Sequence, residues 1–281
     1  MSYILLGDYM KIIKYLGLFL LICFTFFYTE KVVNVINNND ELMIDIKDRA
    51  INYEIEAIDA IIDNDTIIPG KYGKVVNIDK SYYNMKSSKV FNDKLLFYDI
   101  VKPNISLKDN NDKYIIGGNP KFKNVSLIYI LNNNIESNIN LINSINYRIN
   151  IFLNYEFMLK NINMLNSLNN HDIYNYGNDG IYTEDNVIMG NNIINNRTNN
   201  RSVYCLARTR NDNTINMCSK NRMYTIIPSI DKSYSDIKSN IKNGSIIMIN
   251  NIKELDVIVN YINSKGYNIV SLSELLSEEI K

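Results

Sequence analysis

The chain has one imidazole, His171, and this bounds the chemistry open to it. Transition-metal centres are built from imidazole, thiolate and carboxylate donors. A centre that needs two histidines therefore cannot be assembled from this sequence. His171 opens a stretch that also carries Asp172, Asp179, Glu184 and Asp185. Oxygen donors of that kind could hold Ca²⁺ or Mg²⁺ weakly, but a solvated acidic loop is the plainer reading, and a lone histidine is more often a satisfied core residue than a ligand. Downstream, Arg208 and Arg210 could grip a carboxylate or an anionic sugar through their forked guanidinium groups; ordinary surface arginines are the alternative. Cys205 and Cys218 lie thirteen positions apart with no zinc-type cysteine pairing. They read either as two small hydrophobes or as a disulfide, which an exterior compartment would permit.

The elements that must position these residues follow from hydrophobic periodicity. From residue 123 onward, apolar runs without polar alternation take turns with stretches of helical spacing. Residues 125–131 (VSLIYIL), 149–153, 172–176, 202–206, 223–227, 244–249 and 268–270 read as strands. Residues 135–147, 155–168, 184–196, 214–220, 233–241, 255–265 and 273–279 read as the helices between them, with Gly266 as a stop signal. Strands that are apolar on both faces and alternate with helices predict a parallel sheet covered by helices, and about seven such units predict a barrel. Sites in such folds sit beyond the C-terminal ends of the strands.

Composition adds limits. Lys+Arg and Asp+Glu balance at 30 each, which leaves no electrostatic reason to expect nucleic acid. Asn is over-used, at roughly one residue in six, and reads as mutational bias in loops. Residues 12–28 (IIKYLGLFLLICFTFFY) are almost unbroken apolar sequence, with Lys11 and Lys14 at the start and an aromatic cluster at the end. This predicts a signal anchor in residues 1–30, a single membrane pass, and an exported C-terminal part. Residues 31–120 are expected to form a stalk. Within it, a small β-rich module spans 53–79, a short helix spans 81–86, and a polar connector runs from 99 to 120, with IIPGKYGKVV as a turn between two strands.

The stretch NGSIIMINNIKELDVIVNYINSKGYNIVSLSELL resembles the end of the polysaccharide deacetylases, the NodB-homology family of carbohydrate esterases. VSLIYILNNN falls where that family has its first barrel strand, and NNHDIYNYGNDG is similar to its Gly-His-Glu…His-x-x-x-His segment. The resemblance implies a distorted (β/α)7-type barrel over residues 121–281. It also implies a metal, usually zinc, held by an aspartate and two histidines, with an aspartate base and a late histidine as acid. Carried over residue by residue, those roles are empty. The paired aspartates would fall near Ile130 to Asn133, with Leu131 and Asn132 as the degenerate positions. Tyr176 and Gly180 occupy the two metal-histidine positions, and Asn250 occupies the place of the late histidine. His171 matches a position that is not a ligand in the family.

The expectation is thus a degenerate, metal-free relative on the outer face of a cell membrane. It would bind an envelope glycan or an envelope protein, with His171, Asp179, Arg208 and Arg210 as candidate binding residues. A working deacetylase with unusual ligands, and a structural role for the stalk in a membrane complex, are the alternatives.

Overall fold

The computed structural model describes residues 14–29, 31, 39–131, 135–145, 147–168, 170–198 and 201–280, and of 135–138 only the backbone. Residues 14–29 form helix α1, whose apolar side chains are largely exposed (Phe19 and Phe24 at 62% and 72%). The start of the expected anchor, residues 1–13, lies outside the described residues. No helix among the described residues is long and apolar enough to cross a membrane.

The chain divides into two compact units. The smaller holds residues up to Glu56 together with Lys74–Val101. Its core is formed by helix α2 (Glu41–Ala50) and helix α3 (Ile78–Met85), with Leu42, Met43, Ile46, Tyr82 and Met85 buried together. Both helices start at side-chain caps. Asp40 accepts from Leu42 N at 2.9 Å and Asn77 accepts from Lys80 N at 2.9 Å.

The larger unit holds Ala57–Gly73 and Lys102–Lys281. Segments 57–73 and 102–120, expected in a separate stalk, are woven into it. Strands β1 (Ile61–Asp63) and β2 (Thr66–Ile68) form a hairpin, while β3 (Gly73–Val76) pairs with β4 (Tyr98–Val101) in a separate two-stranded sheet. The glycine-rich stretch IIPGKYGKVV therefore joins strands of different sheets and is not a hairpin turn. The connector also hides a two-residue strand, β5 (Tyr114–Ile115), parallel to both β2 and β10 (Tyr224–Ile226). Two residues carry no readable period, so only tertiary pairing shows that strand.

The predicted alternation holds from residue 124. Strands β6 (Asn124–Leu131), β7 (Asn150–Leu153), β8 (Asp172–Asn175) and β11 (Ile246–Ile249) form one parallel sheet in the order β11-β6-β7-β8, and β12 (Asn268–Ile269) pairs with the start of β6. The second sheet runs β1-β2-β5-β10-β9, with β9 at Tyr204–Leu206. The sheets meet at a bridge between Ile230 and Ile247. At the other meeting, β8 and β9 share no ladder. Instead, the Ser202 hydroxyl accepts from Asn175 N at 3.0 Å, and the buried Tyr182 hydroxyl accepts from Leu206 N at 2.8 Å.

Residue alternation on the strands separates two cores. Leu127, Leu131, Ile151, Leu153, Ile173, Ile247 and Ile249 pack outward with Leu255, Ile258 and Ile262 of helix α9 (Leu255–Ser264). Ile128, Phe152, Tyr174, Tyr204, Leu206, Ile226, Ile246 and Met248 pack inward. Both faces are apolar because both are covered, which is why these strands read as unbroken hydrophobic runs. An aromatic series lines the interior, with ring centroids 5.2 Å apart for Phe152–Tyr174, 5.4 Å for Tyr174–Tyr204 and 6.2 Å for Tyr204–Tyr224.

The remaining helices are α4 (Ile135–Asn143), α5 (Tyr155–Lys160), α6 (Glu184–Arg197), α7 (Asp212–Lys220), α8 (Tyr234–Asn240) and α10 (Leu272–Leu276). The single helix expected over 155–168 is broken at Asn161 into α5 and a 3-10 segment, Ile162–Leu168. Cys205 on β9 and Cys218 on α7 are joined as a disulfide, fully buried beside Met223, which decides between the two readings of that pair.

Candidate functional site

A cleft of roughly 510 Å³ opens beyond the C-terminal ends of the strands, lined by Tyr129, Ile130, Tyr176, Asp179, Arg208, Met248, Ile249 and Asn250. Its residues come from the end of β6, from the segments that follow β8 and β9, and from the end of β11 and the residue beyond it. Convergence there is a consequence of parallel strands.

Three side chains, Arg208, Asp231 and Asn250, carry the polar geometry of one wall. Arg208 grips Asp231 in a two-pronged ion pair, Nε to Oδ2 at 2.7 Å and Nη2 to Oδ1 at 2.8 Å. Asn250 donates to Asp231 Oδ1 at 3.3 Å and to the Lys232 carbonyl at 3.0 Å. The hydrogen bonds that Arg208 donates to Asp231 raise its pKa further, against burial, so the guanidinium stays charged. On the opposite wall, Asn154 caps α5 by accepting from Phe157 N at 3.2 Å and donates to Asp179 Oδ1 at 3.0 Å. Asp179 sits at φ +52° and Gly180 at φ +83°. A β-carbon at Gly180 would lie 3.2 Å from the Tyr176 hydroxyl, so the bend itself presses against Tyr176. Tyr176 is buried between the walls and Tyr129 packs in the outward core, and burial raises both phenols above their ordinary pKa.

The structure thus brings Tyr176, Asp179, Arg208 and Asn250 together, with Gly180 behind Tyr176. It does not bring the other expected residues to the cleft. Leu131 is fully buried on the outward face, and Ile130 faces the cleft in its place, because successive residues on a strand point to opposite sides. Asn132 lies outside the described residues. Arg210 pairs instead with Asp65 at 2.8 Å, both side chains well exposed. His171 precedes β8, at the N-terminal end of that strand, whereas Tyr176 follows its other end. Those five residues span about 16 Å of extended chain. The His171 ring is 1% exposed, with Nε2 3.2 Å from the Ile142 carbonyl and Nδ1 3.4 Å from Ile149 N.

The expected acidic group is likewise dispersed. Asp172 is buried against Arg148 at 2.6 Å, Glu184 meets Lys220 at 3.4 Å, and Asp185 lies in the first turn of α6. Among the described residues no three His, Cys, Asp or Glu side chains gather as metal donors. Among the described residues the cleft offers one carboxylate without an ion pair, one guanidinium, an amide and the Tyr176 phenol, so its donor set does not fit a zinc ion. Asp231 was missed from sequence. Its signal was position alone, an aspartate in the loop that follows a parallel strand.

No family model matches the chain. A stretch of 89 residues is 37% identical to the uncharacterized protein YlxY of Bacillus subtilis (strain 168), covering 31% of this chain and 28% of that protein. Among solved structures, the fold is similar to BA3943, a CE4 family pseudoenzyme from Bacillus anthracis. The TM-score is 0.61 at 22% identity, over 86% of this chain and 97% of that one. It is also similar to the Bc1960 peptidoglycan N-acetylglucosamine deacetylase, with a TM-score of 0.50 at 19% identity, over 59% of this chain and 95% of that one. The chain has the α/β fold of the CE4 polysaccharide deacetylases.

Proposed function

We propose that this protein is a CE4-fold pseudoenzyme that binds a glycan of the cell envelope and has lost metal-dependent deacetylation. The two sheets are read as a distorted (β/α)7-type barrel that is held open between β8 and β9 by side-chain hydrogen bonds. The observation that carries the functional reading is the displacement of the only histidine to the far end of β8. Tyr176 and Gly180 stand where the resemblance places the metal histidines and Ile130 stands near the place of the paired aspartates, with the Arg208–Asp231 pair in the same cleft. A guanidinium in the cleft repels a dication, and aliphatic or phenolic side chains do not replace imidazole as zinc donors. What remains suits a sugar: planar polar groups for hydroxyls, beside the Tyr176 phenol.

The surroundings support an extracytoplasmic placement. Lys14 lies at the N-terminal side of the exposed apolar residues of α1, which favours an N-terminus inside and a globular part outside. The Cys205–Cys218 disulfide belongs with an oxidising compartment. The membrane, through the N-terminal segment, and an envelope glycan or protein are the proposed partners.

The test is acetate release from peptidoglycan and from N-acetylglucosamine oligomers, with and without added Zn²⁺ or Co²⁺, together with calorimetric binding of the same oligomers. The expected result is saturable binding without acetate above the enzyme-free blank. Metal-dependent acetate release would overturn the reading in favour of a deacetylase with unusual ligands.

A further inference from the structure

The charge of the cleft is not balanced, and this points to the class of sugar it takes. Arg208 is neutralised by its two-pronged pair with Asp231. Asp179 has a different environment. Its one polar contact is the neutral amide of Asn154, made through Oδ1, and among the described residues no cation pairs with it. Lys232 lines the neighbouring groove against α8 and not this cleft. Among the described residues, one carboxylate oxygen of Asp179 therefore remains open at the rim of a cleft that carries one uncompensated negative charge, with the Tyr176 phenol near enough to feel it.

A fixed carboxylate suits a cation, from which it accepts a charge-assisted hydrogen bond. A neutral acetamide offers no such charge. Resting on the glycan-binding reading above, we infer that the cleft selects an amino sugar with a free ammonium group over its N-acetylated counterpart, with Asp179 as the residue that reads the amine. The protein then recognises glycan from which acetyl groups have already been removed, and the class of reaction that supplies its ligand is amide hydrolysis on the sugar nitrogen.

The experiment uses the full chain in detergent and two soluble probes, a tetramer of β-1,4-linked glucosamine and the same tetramer fully N-acetylated, titrated by calorimetry at neutral pH. The free-amine tetramer is expected to bind roughly tenfold more tightly, the scale of one charge-assisted hydrogen bond at a partly exposed carboxylate. The preference is expected to shrink with added salt. Asp179→Asn should abolish that preference. Asparagine tolerates the positive φ at this position and can still accept from Asn154, so its melting temperature should match that of the parent. Equal or tighter binding of the acetylated tetramer would overturn this inference and leave the glycan reading intact, as would an undiminished preference in Asp179→Asn. No binding of either tetramer would overturn both.

Discussion

Acidification from pH 6.5 to 5.5 should destabilise the larger unit through His171. The ring is enclosed with both nitrogens committed. The Ile142 carbonyl accepts from Nε2–H, which leaves the Nδ1 lone pair to accept from Ile149 N–H. A second proton would have to enter at Nδ1, facing a donor, in a buried place. Burial lowers the His171 pKa below its ordinary value of 6.5, partly opposed by the Ile142 hydrogen bond and by Asp172. The folded state therefore keeps the ring neutral while the unfolded chain takes up a proton. The His171 contribution is present in full above pH 6.5 and is lost as pH falls through the lowered folded value. The loss has a ceiling of about 1.4 kcal/mol per pH unit for one proton, which corresponds to roughly 3–6 °C in melting temperature for a unit of this size. Because the chain has one histidine, the control is unambiguous. His171→Gln keeps a donor for Ile142 and removes the titration. Melting curves by circular dichroism at half-unit pH steps should show a slope in the parent and a flat profile in the variant, whose melting temperature at pH 7.5 is lower. A variant that keeps the parent slope would refute the reasoning.

Three further outcomes are expected. Reducing Cys205–Cys218, or replacing both residues by Ala, should lower stability by about 3 kcal/mol, the scale for a closed loop of this length, as read by denaturant titration with and without reductant. Tyr182→Phe should cost about 1–3 kcal/mol, because it leaves the buried Leu206 N–H without a partner where β8 and β9 lack a ladder; an unchanged midpoint would show that water repairs the gap. In an alkaline titration followed at 295 nm, Tyr174, Tyr182 and Tyr204 should stay protonated beyond the ordinary value of 10, because burial raises all three. Their contribution to stability is present below pH 10 and is lost above it, so these phenols should ionise with unfolding and not before it.

Much of the fold was legible in residue pattern. Runs such as VSLIYIL and GSIIMI announce strands covered on both faces because no polar residue interrupts them. The start of a helix at residue 184 was also legible, and the structure shows the Thr183 hydroxyl and the Asn186 side chain satisfying each other's backbone groups there. The larger unit's reach back to residues 57–73 and 102–120 was not legible, because it depends on two- and three-residue strands paired with distant partners. Glu278 shows the same dependence. It accepts from Gly70 N and from Leu107 N, about 3 Å each, across more than 170 residues of chain.

For the candidate site, the sequence alone determined what could not be there, since a count of one histidine excludes a two-histidine centre in any fold. It also named Tyr176, Asp179, Arg208 and Asn250, which lie at or just beyond strand ends. Only the tertiary structure decided that Ile130 and not Leu131 faces the cleft, that His171 is a core residue at the opposite end, and that Arg208 is spoken for by Asp231. Composition and local spacing are properties of the chain taken in order. Which side chain neutralises which charge depends on strands brought together from far apart, and that geometry leaves no mark on neighbouring residues.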